Sequence, residues 1–242
     1  MPVNIRDVTI VPEGDGVDVK RLFPLRGLMN FDPFVLWDHF TLDSGRGFPE
    51  HPHRGFEAIT YMFDGGMNHK DNLGNASFVT AGGAQRFTAG SGLVHSEMPA
   101  ETGVSRGIQL WINLPRRLKQ VAAEYQQVNA NAFPVKDIEG GTVKTIVGEN
   151  SPLVLKSHII YQHVMLNKDG IYKLSLPPGM RGVVYVMQGS IAVNSVNTHT
   201  DQAAFVEAED LLEFKANKKS EFMVCMGIPH GEPIHQHGPF VD

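Results

Sequence analysis

The stretch HPHRGFEAITYMFDGG, residues 51–66, carries the two patterns that decide how this chain folds. Its second half, Phe56 to Phe63, contains several β-branched and aromatic residues and ends before an Asp-Gly pair, which predicts a strand followed by a turn. In its first half, one residue separates His51 from His53, so their side chains share one face of an extended backbone. The stretch therefore predicts a sheet that carries two imidazoles on the same side.

A second alternating pair, His95 and Glu97, follows later in the chain. If both pairs turn inward, three imidazoles and one carboxylate meet in space. Imidazole suits iron, zinc, copper and nickel, so such a set is a plausible ligand shell for a transition metal. We therefore expect a metal site inside a β-barrel.

Strand patterns recur along the whole chain, and 25 glycines and 15 prolines supply turn residues between them. One stretch, Arg116 to Gln127 after Pro115, instead has the pattern of a short helix. The fold class predicted is all-β, with a short helical segment near residues 116–127. Besides Phe56 to Phe63, the clear strands are Pro33 to Phe40, Gly107 to Leu114, Tyr172 to Leu176, Gly182 to Met187, Ser190 to Val196 and Glu221 to Met226.

The strand and turn FEAITYMFDGG, residues 56–66, are weakly repeated as MRGVVYVMQGS, residues 180–190. At the same offset, His51 and His53 correspond to Ser175 and Pro177, which are not metal ligands. The repeat and a change of pattern near residues 128–137 predict two barrels. We expect a metal-binding domain over 1–132 and a domain without ligands over 133–242.

Composition excludes several classes of function. With 21 basic and 26 acidic residues the formal charge is −5, which disfavours direct binding to nucleic acid. The chain has no apolar run long enough to span a membrane, and its first residues lack the apolar core of a secretory signal, so we expect a cytoplasmic protein with no membrane partner. The single cysteine, Cys225, lies in an apolar run and is expected to be inert core.

Two blocks of the chain resemble the conserved patterns of cupins. Gly45, the pair His51 and His53, then Glu57 and Gly65 follow the first cupin pattern, and the GSGLVH sequence of residues 90–95 keeps the GxxH of the second. The sequence around these blocks is more specific than the general cupin patterns, and it resembles the pirin family from about Phe31 to the C-terminus. The stretches that carry this resemblance are GFPEHPHRGFEAITYMFDG (47–65), HKDNLGN (69–75), TAGSGLVHSEMP (88–99), GIQLWINLP (107–115) and GEPIHQHGPFV (231–241).

The pirin resemblance implies a bicupin of two face-to-face barrels with one metal ion, Fe(II) by preference, in the N-terminal barrel. It assigns the metal ligands to His51, His53, His95 and Glu97. For bacterial members it implies a quercetin 2,3-dioxygenase activity, and for animal members a nuclear co-regulator of transcription whose iron redox state tunes partner binding. It also implies a monomer and a C-terminal tail that packs back over the barrels.

Other candidate residues are left with open roles. Glu57 shares strand parity with the two leading histidines if no bulge intervenes, and it is either a ligand or an acceptor that orients an imidazole N–H. His69 is in a polar loop and could line the entrance. The cluster of His230, His235 and His237 near the C-terminus is a weak candidate for a second metal site.

The function expected is metal-dependent cleavage of a flavonol ring with dioxygen, in which Glu97 accepts the proton of the 3-hydroxyl. The expected substrate is a small aromatic molecule, a flavonol or another enol or phenol. The alternative is a metal-bearing, redox-sensitive regulator that acts by binding a protein partner, either in transcription or on a metabolic enzyme. The intact ligand set is compatible with both hypotheses.

Overall fold

The regular secondary structure is almost entirely β-strand, as the sequence predicts. A computed structural model describes residues 3–207 and 209–242. The first eleven strands are β1 (Asn4–Asp7), β2 (Thr9–Glu13), β3 (Val17–Phe23), β4 (Phe34–Asp43), β5 (Phe48–His53), β6 (Phe56–Asp64), β7 (Gly66–Asp71), β8 (Ala76–Thr80), β9 (Ala84–Thr88), β10 (Leu93–Pro99) and β11 (Val104–Asn113).

Two 3-10 helices, Arg116–Leu118 and Ala130–Ala132, are the helical elements of the described residues. The strands that follow β11 are β12 (Glu124–Val128), β13 (Val135–Ile138), β14 (Gly141–Val147), β15 (Ile159–Leu166), β16 (Ile171–Ser175), β17 (Arg181–Gln188), β18 (Ser190–Val193), β19 (Val196–His199), β20 (Gln202–Glu207), β21 (Leu211–Ala216), β22 (Ser220–Gly227), β23 (Gln236–His237) and β24 (Phe240–Val241).

The chain forms two compact units. The N-terminal unit comprises residues 9–132, 153–157 and 230–242. It contains a seven-stranded sheet in the order β12-β9-β6-β11-β4-β3-β2, a four-stranded sheet in the order β5-β10-β7-β8, and the small β23-β24 ribbon. The pairings described within both larger sheets are antiparallel, so short turns suffice to connect many of the neighbouring strands.

The C-terminal unit comprises residues 3–8, 133–152 and the described part of 158–229. It repeats the same plan, with a seven-stranded sheet β1-β20-β17-β22-β15-β14-β13 and a four-stranded sheet β16-β21-β18-β19. Its core is a continuous apolar cluster that includes Val164, Val184, Leu212, Phe214 and Phe222. The prediction of two cupin-type barrels is confirmed by this repeated topology.

Cys225 lies in the C-terminal unit and is fully buried on β22. Burial raises the pKa of its thiol well above the ordinary value, because the charged thiolate is poorly solvated there. The side chain therefore remains a neutral thiol in the core, as the sequence predicts.

The predicted helix over 116–127 is much shorter in the structure. Only Arg116–Leu118 is helical, and the end of the predicted segment is strand β12. This strand pairs with β9, where Tyr125 lies opposite Phe87 and Val128 opposite Ala84. Pairing with a sheet edge supplies backbone hydrogen bonds that the local helical pattern could not reveal, so tertiary context overrides propensity here.

The division into domains 1–132 and 133–242 stays a prediction, and the compact units differ from it in three short segments. Strand β1 pairs with β20 and so belongs to the C-terminal unit. Residues 153–157 and 230–242 belong to the N-terminal unit. Their backbone groups bind side chains of that unit, as Ser157 N binds Glu57 and Gly231 N binds Asp32. Within the described residues, no helix is long and apolar enough to cross a membrane.

Candidate metal centre

The four-stranded sheet of the N-terminal unit brings the three predicted histidines to one face. Strands β5 and β10 pair antiparallel, with His95 opposite His51 and Leu93 opposite His53. Because alternate residues of a strand share a face, this register places all three imidazoles on the same side of the sheet. His53 and His95 are buried and His51 is half-buried.

The imidazole nitrogens of His51, His53 and His95 lie within 4.8 Å of one another, as required to hold one metal ion. The Nε2 atoms of His51 and His95 are 3.2 Å apart. Two nitrogens bound to one ion at about 2.1 Å, at angles between right and tetrahedral, would be roughly 3.0 to 3.4 Å apart. The spacing therefore fits two ligands of a shared ion.

Backbone carbonyls determine which nitrogen of two rings carries the proton. His53 Nδ1–H donates to Pro239 O at 3.2 Å, and His51 Nδ1–H donates to Pro49 O at 2.6 Å. A carbonyl oxygen only accepts, so a neutral ring keeps its proton on Nδ1 and its lone pair on Nε2. Both rings are thus prepared to bind a metal through Nε2.

Glu97 is buried on β10, and its carboxylate is held by three side chains of the seven-stranded sheet. Its Oε1 accepts hydrogen bonds from Thr60 Oγ1 at 2.7 Å and from Gln85 Nε2 at 2.5 Å. Its Oε2 accepts one from Gln109 Nε2 at 2.6 Å. Among the described residues, the potential ligand atoms that lie within 4.8 Å of one another belong to the three histidines, and no oxygen of Glu97 is among them. Glu97 as a fourth ligand stays a prediction.

The residues that hold Glu97 belong to a polar row across the seven-stranded sheet. The register places Arg21 opposite Asp38, Asp38 opposite Gln109, Gln109 opposite Thr60, and Thr60 opposite Gln85. Arg21 Nε donates to Asp38 Oδ1 at 2.7 Å, so the charge of this buried carboxylate is paired. One continuous polar strip therefore runs from Arg21 to the carboxylate of Glu97.

A cavity of about 580 Å³ opens beside the histidines, within the N-terminal unit. This volume lies in the range of small-molecule sites, which are mostly apolar with a few polar groups. Trp111 Nε1 and Gln236 Oε1 are buried and find no hydrogen-bond partner among the described residues. Both residues belong to the lining, which also includes His51, His53, Glu97, Gln109, Arg21, Asp38, Leu36, Phe40 and Phe48.

Comparison with known proteins places this site in a family. The family model described as Pirin matches residues 16–112, and the model described as Pirin C-terminal cupin domain matches residues 161–242. The chain belongs to the pirin family. Pirin of Mus musculus is 36% identical over 241 residues, which cover 95% of this chain and 83% of the mouse protein.

Bacterial pirins and their relatives are similarly close. The Pirin-like protein of Caulobacter vibrioides is 36% identical over 95% of this chain and 87% of that protein. A crystal structure of quercetin 2,3-dioxygenase from Acinetobacter baumannii superposes with a TM-score of 0.91 at 28% identity, covering 98% of this chain and 90% of that one. The match along nearly the whole length agrees with the bicupin fold.

Glu57 does not take the role expected for it in this pirin. Its buried carboxylate accepts hydrogen bonds from Thr88 Oγ1 and from the backbone N–H groups of Lys156 and Ser157. None of its described partners is an imidazole, so the expectation that it orients one is wrong. The carboxylate instead anchors residues 153–157 to the N-terminal unit.

The expectation for Glu57 fails because of the turn between β5 and β6. Gly55 has a φ of +84°, a conformation that glycine adopts readily, and the alternation of β5 does not continue into β6. Thr60 consequently contacts Glu97, while Glu57 contacts the backbone of Lys156 and Ser157.

His69 lies on strand β7, behind His95, rather than in a loop at an entrance. It is fully buried, and its ring is next to that of His95. The C-terminal histidines do not form a second cluster: within residues 3–207 and 209–242, the group of His51, His53 and His95 is the only set of three or more potential ligands that meets the distance criterion.

Sequence reasoning missed the polar residues that position Glu97. Thr60, Gln85 and Gln109 each stand in a strand that is largely buried. A polar residue at an inward position of a buried strand is the signal that could have found them, since such a group needs a partner. The alternation of side chains along β11 does not by itself show whether Gln109 or its two neighbours face the cavity.

The pH dependence of stability follows from the buried imidazoles. Burial, with smaller effects of His95 and His51, lowers the pKa of His53 to about 3, and burial likewise lowers the pKa of His95. Between pH 6.5 and 3 His53 is protonated in the unfolded chain and neutral in the folded one, and His95 shifts in the same direction, so the titration of these two histidines favours unfolding on acidification. We expect the metal-free protein to lose about 1.4 kcal/mol per pH unit for each such histidine below pH 6.5.

Urea denaturation of the metal-free protein at pH 7, 6 and 5 measures this slope. His53 lies among Phe56, Phe87 and Trp111, so a phenyl ring is accommodated at this position. His53→Phe should flatten the dependence of the free energy of unfolding on pH. Equal slopes for wild type and variant would show that His53 does not resist protonation.

Proposed function

We propose that this protein is a metal-dependent dioxygenase that cleaves the ring of quercetin-type flavonols, with Glu97 as the base. The observation that carries the proposal is the set of three imidazoles whose ring nitrogens lie within 4.8 Å of one another, beside a cavity of about 580 Å³. The likeness to a bacterial quercetin 2,3-dioxygenase along nearly the whole chain supports it.

The donor set fits a divalent transition metal, and we assign Fe(II). His51, His53 and His95 would hold it as neutral ligands, and Glu97 is the proposed fourth ligand. Neutral imidazole suits iron, and a carboxylate completes a mixed nitrogen and oxygen shell. When bound, such an ion supplies open positions at which a substrate oxygen and dioxygen are brought together.

Glu97 has the capacity to accept a proton from the substrate. An ionised carboxylate offers about four lone-pair sites, and Thr60, Gln85 and Gln109 use three of them. In the proposal the remaining site binds the metal, and one of the three donors gives up its hydrogen bond when Glu97 accepts the 3-hydroxyl proton of a flavonol, which a bound cation would acidify. The three donors also hold the carboxylate of Glu97 in one position before the substrate enters.

The cavity suits a flat aromatic molecule that carries oxygen atoms. Aromatic rings line it, and Trp111 Nε1–H is a buried donor without a partner among the described residues. In the proposal this hydrogen is accepted by a substrate oxygen beside His53, whose ring is 4.9 Å from that of Trp111. Arg21 and Asp38 offer further polar contacts to ring hydroxyls at another part of the lining.

The overall reaction takes up one dioxygen and releases one carbon monoxide for each flavonol, and the remaining atoms form a depside. The 3-hydroxyl proton passes to Glu97, which returns it to the product, and the central ring of the flavonol loses one carbon as carbon monoxide. Both oxygen atoms of dioxygen add to the ring carbons that remain, so dioxygen is the oxidant and no further reductant is needed.

The test is incubation of anaerobically iron-loaded protein with quercetin, followed by admission of air. The expected result is metal-dependent decay of the flavonol with release of an equal amount of carbon monoxide. Protein that holds iron and leaves quercetin unchanged would overturn the enzymatic proposal. That outcome would favour the alternative of a metal-bearing regulator that acts through a protein partner.

A further inference from the structure

Behind His95 lies a buried pair formed by His69 and Asp71 on the neighbouring strand β7. The register places Asp71 opposite His95 and His69 opposite Glu97. His69 Nδ1 is 3.5 Å from His95 Nδ1, and His69 Nε2 is 3.0 Å from Asp71 Oδ2. The side chains of His69 and Asp71 are both 0% exposed, so water does not replace either partner.

The protons of these three groups can be placed by elimination. The carboxylate of Asp71 accepts, so His69 Nε2 carries the proton that it donates. A neutral His69 then has its lone pair on Nδ1 and accepts the hydrogen of His95 Nδ1. The lone pair of His95 is consequently on Nε2, the nitrogen that lies 3.2 Å from His51 Nε2.

Asp71 is well suited to be the first acceptor in this series of hydrogen bonds. Burial acts to raise its pKa, but hydrogen bonds from His69 and Asn75 outweigh burial, and the pKa is lowered. Its Oδ1 also accepts from the backbone N–H groups of Leu73 and Asn75, at 3.0 and 2.9 Å. The carboxylate therefore stays charged and keeps one orientation.

Tyr125 fixes the plane of the His69 ring. The two rings stack with centroids 4.2 Å apart and an interplanar angle of 15°. The hydroxyl of Tyr125 donates to Gln85 Oε1 at 2.9 Å, and Gln85 in turn donates to Glu97. His95 and Glu97 are thus held by one connected set of side chains.

We propose that His69 and Asp71 are positioning residues that hold His95 with its Nε2 lone pair directed at the metal. This inference rests on the metal site of the proposed function and is independent of the dioxygenase reaction. Partners behind a metal-bound histidine raise its basicity and fix its ring, and their loss costs about 10- to 100-fold in metal affinity.

The test is a titration of the full-length, metal-free protein with Co(II), followed by the visible absorption of the bound ion. His69→Phe keeps a ring against Tyr125 and removes both nitrogens. His69→Gln restores an acceptor for His95 and a donor for Asp71, and Asp71→Asn removes the charge. The matched control is His163→Phe in the C-terminal unit, where His163 Nε2 also pairs with a carboxylate, that of Glu221, at 2.8 Å.

We expect the affinity for Co(II) to fall about 10- to 100-fold in His69→Phe and in Asp71→Asn, to recover in His69→Gln, and to be unchanged in His163→Phe. Among the three histidine variants, the absorption spectrum should change in His69→Phe alone. Wild-type affinity in both His69→Phe and Asp71→Asn would overturn the inference and leave the metal site intact. A wild-type protein that binds no Co(II) would overturn both. If His69→Phe does not fold, Asp71→Asn decides.

Discussion

Replacing His53 with alanine is expected to abolish tight metal binding and, with it, the decay of quercetin. His53 is one of three imidazoles whose nitrogens lie within 4.8 Å of one another, and its Nδ1–H is already committed to Pro239 O. Loss of a direct ligand should cost more than the roughly 100-fold that loss of an outer partner can cost. Iron content after anaerobic loading and the rate of flavonol decay measure the two effects.

The matched control for His53→Ala is His199→Ala, which removes an exposed imidazole from the C-terminal unit. This variant should keep wild-type iron content and rate. The unfolding midpoint of each metal-free variant shows that the barrel is intact. An iron content in His53→Ala equal to that of the wild type would contradict the assignment of the site.

Glu97→Gln is expected to lower kcat by about 10²- to 10⁴-fold, the range for loss of a general base. Part of the metal affinity should remain, because His51, His53 and His95 are unchanged. The variant amide has only one acceptor oxygen, whereas Glu97 accepts hydrogen bonds through both oxygens. Either Gln109 or Gln85 must then lose or reverse its hydrogen bond. Steady-state rates at equal iron occupancy measure the loss.

Glu50→Gln provides the comparison for Glu97→Gln. Glu50 lines the same cavity, but its side chain is exposed. Neutralising Glu50 should leave kcat near the wild-type value, since no described contact joins it to Glu97. If Glu97→Gln turns over quercetin at the wild-type rate with full iron occupancy, Glu97 is not the base.

The imidazoles of the site could be predicted because their pattern is local. His51 and His53 alternate within one strand, and the direction of their side chains needs only the period of a strand. The cupin blocks then supplied His95 from the second strand. The apolar core of the C-terminal unit follows in the same way from strands such as Gly182 to Met187, which carry no ligand residues.

The positions of Glu57 and His69 could not be predicted from the alternation of side chains along a strand. The positive φ of Gly55 breaks the parity between His53 and Glu57, and a single glycine in the sequence does not reveal its conformation. The place of His69 depends on the pairing of β7 with β10, which joins residues far apart in the chain. One residue separates His69 from Asp71, as in the pairs His51–His53 and His95–Glu97. Only the register of β7 with β10 shows that this third pair lies beside His95.

A crystal structure of the iron-loaded protein, with diffraction recorded on both sides of the iron absorption edge, tests the metal centre most directly. We predict one anomalous peak in the N-terminal unit, at bonding distance from the Nε2 atoms of His51, His53 and His95. The same map shows whether Glu97 is bound as well. A protein that carries iron but has its peak elsewhere, for example near His235 and His237, would contradict the assignment of this site.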